Sequence, residues 1–89
     1  MRAIVTVVGK DKVGIIAGVC TALAEYNVNI LDIRQTVMQG YFTMMMVTDV
    51  SGSALPVAEL AKTLEEKGKE MNLSIRLQRE DIFDAMHRV

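Results

Sequence analysis

This sequence predicts an α+β domain with the element order βαββαβ: a four-stranded antiparallel sheet, two helices on one of its faces, and a short C-terminal helix. Three observations carry that expectation. Short β-branched runs alternate with two stretches of helical periodicity, a two-residue turn sits near the middle of the chain, and the two halves repeat one another. At 89 residues the chain has the length of a single domain, with a core over 2–80 and a terminal helix over 81–89.

The first strand is RAIVTVV, residues 2–8, which is β-branched and bounded by Gly9. Apolar residues then recur at Ile16, Val19, Cys20 and Leu23, the spacing of one helix face. Asp11 precedes this run and is placed to cap it, because its carboxylate can accept from free first-turn N–H groups. Asn27 is placed to end it in a left-handed conformation. Two strand-like runs follow, 28–38 and 41–50, separated only by Gln39-Gly40, where the glycine supplies the positive φ of a tight hairpin.

The second helix begins near Pro56, which is tolerated in a first turn, and its inner face is Val57, Leu60, Ala61, Leu64 and Met71. Gly68 weakens it slightly. Residues 73–79 alternate as a strand, and DIFDAMH is a short helix with Ile82, Phe83 and Met86 inward. Glu25-Tyr26-Asn27-Val28-Asn29-Ile30 closes the first helix and enters a strand, as Glu70-Met71-Asn72-Leu73-Ser74-Ile75 does for the second. Each half is thus β-α-β, and right-handed crossovers put both helices on one sheet face, the ferredoxin-like plait.

That sheet has one uncovered face, yet its strands are apolar on both sides. Ala3, Val5 and Val7 oppose Ile4 and Val8; Tyr41, Met45 and Val47 oppose Phe42, Met44 and Met46. The terminal helix or a second subunit must cover the other face, and a dimer is expected.

Composition excludes several function classes. The chain is 51% hydrophobic with net charge −1, and its ten basic and eleven acidic side chains form no basic stripe. Nucleic-acid partners are therefore not expected. Tyr41 and Phe42 are adjacent and point to opposite faces, unlike a base-stacking platform. No apolar run is long enough for a membrane span, and a single cysteine suits the reducing cytoplasm. Catalysis also lacks its parts. Cys20 falls on the buried helix face, and the lone His87 has only Asp81 and Asp84 at helical spacing, fewer ligands than a metal site needs. No cofactor and no enzymatic activity are expected.

Gly9 and Gly14 stand five positions apart, as in a phosphate-binding loop, but Gly14 is followed by Ile15 and Ile16 rather than Lys and Ser or Thr. The phosphate chemistry is missing. Two readings of Gly9-Lys10-Asp11-Lys12-Val13-Gly14 remain. It is a strand-to-helix turn capped by Asp11, with Gly14 allowing close approach. Alternatively, the helix N-terminus receives a small carboxylate while Asp11 meets an ammonium. A helix end contributes about 0.3–1 kcal/mol, whereas millimolar binding needs about 4 kcal/mol, so the loop requires a second wall.

The run Asp11-Lys12-Val13-Gly14-Ile15-Ile16-Ala17, Asn29-Ile30 in the next strand and the βαββαβ order together resemble the ACT domain family over residues 2–80. The chain is most similar to its small stand-alone members with a terminal helix such as REDIFDAMHRV, and to the ACT segments of formyltetrahydrofolate deformylase and of the glycine cleavage system transcriptional repressor. The resemblance implies a regulatory module, commonly amino-acid binding. Its subunits pair side by side or face to face, with the ligand between the first loop of one and the second strand of another. By position, Asp11, Lys12, Val13, Gly14 and Ile15 would line the loop side and Asn29 would offer an amide from the second strand. Val13 stands where many members have Pro, so the backbone there is less pre-set. The rival reading is an interaction module that pairs with another ACT-containing regulator or enzyme and has no ligand of its own.

Overall fold

The computed structural model describes residues 1–10 and 14–87. Its elements are β1 (Arg2–Gly9), α1 (Ile15–Glu25), β2 (Asn29–Met38), β3 (Tyr41–Asp49), α2 (Val57–Glu70), β4 (Ser74–Arg79) and α3 (Glu80–His87). The expected βαββαβ order is present, and the four strands pair antiparallel in the order β2-β3-β1-β4.

Strand β1 lies inside the sheet, between β3 and β4. Val5 sits opposite Met46 on one side and Leu77 on the other, and Val7 sits between Met44 and Ile75. These residues join Val19 and Leu23 of α1 and Leu60 and Leu64 of α2 in one buried cluster. Fully burying each such side chain contributes roughly 1.5–3 kcal/mol, so this layer supplies most of the stabilisation. The one buried polar side chain among the described residues, Thr48, is satisfied by donating to the Ala3 carbonyl at 2.9 Å.

Both helices end alike. After α1, Asn27 has φ 60°, its N–H donates to the Ala24 carbonyl at 3.0 Å, and the Val28 N–H reaches the Leu23 carbonyl at 3.0 Å. After α2, Asn72 has φ 58°, with Asn72 N–H to Lys69 at 3.2 Å and Leu73 N–H to Gly68 at 2.7 Å. This is the Schellman pattern built on asparagine. In the hairpin Gln39 (φ 49°) shares the positive φ of Gly40 (φ 83°), which makes a type I′ turn whose twist matches the strands.

Several expectations shift. The buried face of α1 is Ile15, Val19, Ala22 and Leu23, while Ile16 and Cys20 are half-buried, so the face is rotated towards its neighbours of the i, i+4, i+7, i+8 series. Pro56 is the residue flanking α2 rather than its first-turn residue, and Met71 lies just past its end with its thioether methyl against Gly18. Gly68 does more than weaken α2: it is buried, and a Cβ there would stand 3.0 Å from the Leu73 carbonyl oxygen and 3.0 Å from Ile75 Cγ1. Ile82 is largely exposed instead of inward, while the Phe83 and Met86 side chains lie outside the described residues.

The second sheet face is only partly covered. Helix α3 contacts β1 and β4, and Ile4 is buried, but Val8, Met38, Tyr41 and Met45 remain exposed.

Candidate functional site

The expected site residues fall at two ends of the sheet. At one end, β1 finishes at Gly9 and α1 starts after Gly14. Asp11, Lys12 and Val13, with the expected Asp11 cap, lie outside the described residues. The residue flanking α1 is Gly14 itself, with φ 77° and ψ −10° and no side-chain cap. Its carbonyl takes the first helical bond from the Gly18 N–H at 2.9 Å. The N–H groups of the first turn have no acceptor within the helix, and the dipole there favours an anion.

Gly9 ends β1 as expected, but the close approach expected at Gly14 falls at Gly9 instead. Close approach belongs to Gly9: a Cβ there would overlap the Leu73 side chain and sit 3.2 Å from Ile15 Cδ1. At Gly14 no atom of the described residues lies within 4 Å of a built Cβ, so none of them approaches it closely. What demands glycine is the left-handed φ, which costs other residues roughly 1–2 kcal/mol. Gly14 is exposed at the helix start, with Ile15 buried just behind it. Lys10, at the mouth of the loop, has its ammonium 5.9 Å from the centroid of the Tyr41 ring, within reach of the ring face.

Asn29 opens β2 at the opposite end. It pairs with Asp49, which pairs with Arg2, whereas the loop follows Gly9 at the other end of β1. Seven residue steps of about 3.3 Å separate those rows, roughly 23 Å. A single chain thus does not bring Asn29 to the loop.

Around Asn29 lies a shallow cleft of about 400 Å³, lined by Ala24, Asn27, Val28, Asn29, Asp49 and Gly52. Asp49 was not anticipated as part of it. Its Oδ1 accepts from the Ser51 N–H at 2.9 Å and faces the Met1 amino group at 3.4 Å. The Met1 amino group also donates to the Ser51 hydroxyl. The Ser51 backbone bond, then the Ser51 hydroxyl, and the nearby ammonium together hold the Asp49 carboxyl below its ordinary value. The spacing Asp49-Val50-Ser51-Gly52, in which an Asp side chain turns back to the N–H two residues on, was the available signal. Among the described residues no three His, Cys, Asp or Glu side chains gather where they could hold a metal. No helix among them is long and apolar enough to cross a membrane.

Residues 2–78 match the model of the ACT domain. A UPF0237 protein of Clostridium acetobutylicum is 57% identical over 89 residues, all of both chains. The solved ACT domain protein from Streptococcus pneumoniae superposes with a TM-score of 0.85 at 47% identity, covering 98% of each chain. Two larger proteins share the fold over 88% of this chain. A formyltetrahydrofolate deformylase from Pseudomonas syringae has a TM-score of 0.78 at 21% identity, with 27% of its own chain covered. A candidate glycine cleavage system transcriptional repressor has 0.73 at 24%, with 44% of its chain covered. Sheet order, the left-handed glycine opening α1 and whole-length identity agree: this chain belongs to the ACT domain family of regulatory ligand-binding modules.

Proposed function

We propose that this chain is a small cytoplasmic regulatory module that works as a homodimer and binds an amino acid or similar small carboxylate at the subunit interface. One observation carries the reading: the left-handed Gly14 at the start of α1 and Asn29 stand at opposite ends of one sheet. A two-fold axis beside the sheet places Asn29 of one copy at the loop end of another. The ligand carboxylate meets the first-turn N–H groups behind Gly14, and the Asn29 amide of the second copy supplies the missing wall. Asp11, Lys12, Val13 and Ile15 complete the loop side by their place in the chain. Binding is reported through a partner protein or a change in assembly.

The test is a thermal-shift panel of the common amino acids on pure protein. A ligand at 100 times its dissociation constant adds about 2.7 kcal/mol of stability. In a domain of this size that is a rise of roughly 10–20 °C. A flat response to every amino acid refutes the reading. The second reading, an interaction module without its own ligand, is favoured by the exposed Val8, Tyr41 and Met45 on the uncovered sheet face. It expects affinity capture to return a stoichiometric ACT-containing partner whose binding ignores amino acids.

A further inference from the structure

The sheet edge away from Asn29 carries a groove. Strand β4 pairs with β1 on one side and ends the sheet on the other. Helix α2 packs across it, tightly where Gly68 meets Leu73 and Ile75, and leaves a hollow towards its own start. Three hollows of about 400, 190 and 440 Å³ lie along this seam. Glu65, Ile75 and Arg76 line both the first and the second, while Ala61, Leu77 and Gln78 line both the second and the third. They form one continuous groove, roughly 20 Å long at about 3.3 Å per strand residue.

Its two ends differ in chemistry. At the Ser74 end stand Lys69 and Arg76, and among the described residues no ion pair engages either of them. At the Arg79 end the wall is apolar, built from Val57, Ala58, Ala61, Leu77 and the exposed Ile82. Arg79 itself is held by Asp81 at 2.8 Å, so it brings no free cation there. Glu65 is the one carboxylate among the described residues that line the three hollows.

We propose that this groove docks an extended segment of a partner protein, which adds to β4 as an antiparallel fifth strand and carries an apolar residue four positions before an acidic one.

The backbone calls for a strand. An edge leaves alternate N–H and C=O groups without ladder partners, and an added strand satisfies them while every second side chain enters the groove. Antiparallel pairing is the more stable per residue. It sets the start of the segment against Arg79 and its end against Ser74, so the order along the segment is apolar, then acidic. On the face turned to α2, positions i, i+2 and i+4 lie level with Arg79, Leu77 and Ile75. Position i fills the hollow beside Ile82, and position i+4 brings a carboxylate to Lys69 and Arg76. Position i+2 enters the middle hollow, where Glu65 disfavours a second acid. A small anion would occupy only the cationic end and leave the apolar end and the strand edge bare.

A second copy does not fit this edge. Strand β4 is Ser74-Ile75-Arg76-Leu77-Gln78-Arg79 and has no carboxylate to offer Lys69 and Arg76. Pairing it with itself gathers Arg76 and Arg79 of both copies on one short seam. Charged side chains on a short strand keep an edge from joining its like. The groove is separate from the amino-acid reading, because β2 with Asn29 is the opposite edge.

Fluorescence anisotropy on the full chain tests this with a labelled hexapeptide, acetyl-Thr-Leu-Thr-Val-Thr-Glu-amide, and circular dichroism confirms that each protein variant is folded. The peptide binds with a dissociation constant of about 100 µM or tighter. Replacing its glutamate by glutamine weakens binding at least about fivefold, as do the joint reversal Lys69→Glu with Arg76→Glu and, separately, Ile82→Asp. A peptide ending in lysine binds the doubly reversed protein to within about threefold of the parent pair. The sequence written backwards binds at least about fivefold more weakly. Of two peptides N-methylated at alternate residues, one keeps its affinity and the other loses it, since only one set of amides faces β4. Absence of saturable binding at about 1 mM overturns the proposal. So do equal affinities of the two N-methylated peptides, indifference to both the charge reversal and Ile82→Asp, or displacement by free glutamate or inorganic phosphate at the concentration of the peptide itself. Amino-acid thermal shifts read the other site: they are unchanged by Lys69→Glu with Arg76→Glu, and their absence leaves the groove standing.

Discussion

Two helix glycines offer a direct trial of the packing described here. By helix propensity alone, Gly18→Ala in α1 and Gly68→Ala in α2 should each stabilise the protein by about 0.8–1 kcal/mol. The surroundings separate them. A Cβ at Gly18 meets only the end of Met71, its Cε methyl and, at 3.4 Å, its sulfur. That side chain has three rotatable bonds and is half-buried, so it swings aside for roughly 0.5 kcal/mol. The net expectation is a gain of about 0.5 kcal/mol, a rise in Tm of roughly 2–4 °C. At Gly68 the obstacle is backbone: the Leu73 carbonyl oxygen at 3.0 Å and the Ile75 nitrogen at 3.2 Å. Neither retreats easily, because the Gly68 carbonyl accepts the Leu73 N–H at 2.7 Å and closes the helix. Overpacking of this kind costs about 1–3 kcal/mol, which outweighs the propensity. The net loss is about 1 kcal/mol, a fall of roughly 4–8 °C. Urea denaturation at one fixed protein concentration, with unchanged m-values, measures both. If Gly68→Ala gains as much as Gly18→Ala, the close approach of α2 to β4 is not what requires that glycine.

Three further outcomes follow from single positions. Gly14→Ala forces a side chain into φ 77° with no atom of the described residues near enough to clash, so it should cost about 1–2 kcal/mol through backbone strain, measured by the same denaturation. Gln39→Asn or Gln39→Gly relieves the left-handed φ 49° of the hairpin and should raise the midpoint by the equivalent of about 0.5–1 kcal/mol. Asp49 has its folded value held below the ordinary 3.8, so its ionised form stabilises the fold above that value, and the contribution is lost as pH falls through the lower folded value. Denaturation midpoints taken from about pH 5 to about pH 2 should fall less steeply in Asp49→Asn than in the parent.

The local features were legible because short-range chemistry decides them. The Asn27 and Asn72 helix ends, the Gln39-Gly40 turn and the inward rows of β1 and β3 follow from residue type and a period of two or 3.6. Where the reading slipped, the reason was a neighbour distant in sequence. Ile15 is buried because it lies behind Gly9, and Gly68 is needed because β4 returns against α2. Ile82 resembles an inward helix residue, yet it ends largely exposed beside Val57, Ala58 and Leu77.

The candidate site divides in the same way. The sequence by itself determined that a helix starts close to Gly14, that Asn29 lies at the beginning of the second strand and that the strands are too apolar for one covered face. Those are properties of a residue and its immediate neighbours. Tertiary structure alone decided that Asn29 stands a sheet length away from Gly14 and that β2, nearly as apolar as its neighbours, is left on the edge. Hydrophobic alternation reports which face of a strand is buried, but it carries no record of which strand lies beside it. Strand order comes from how the two crossovers pack their helices over the whole sheet.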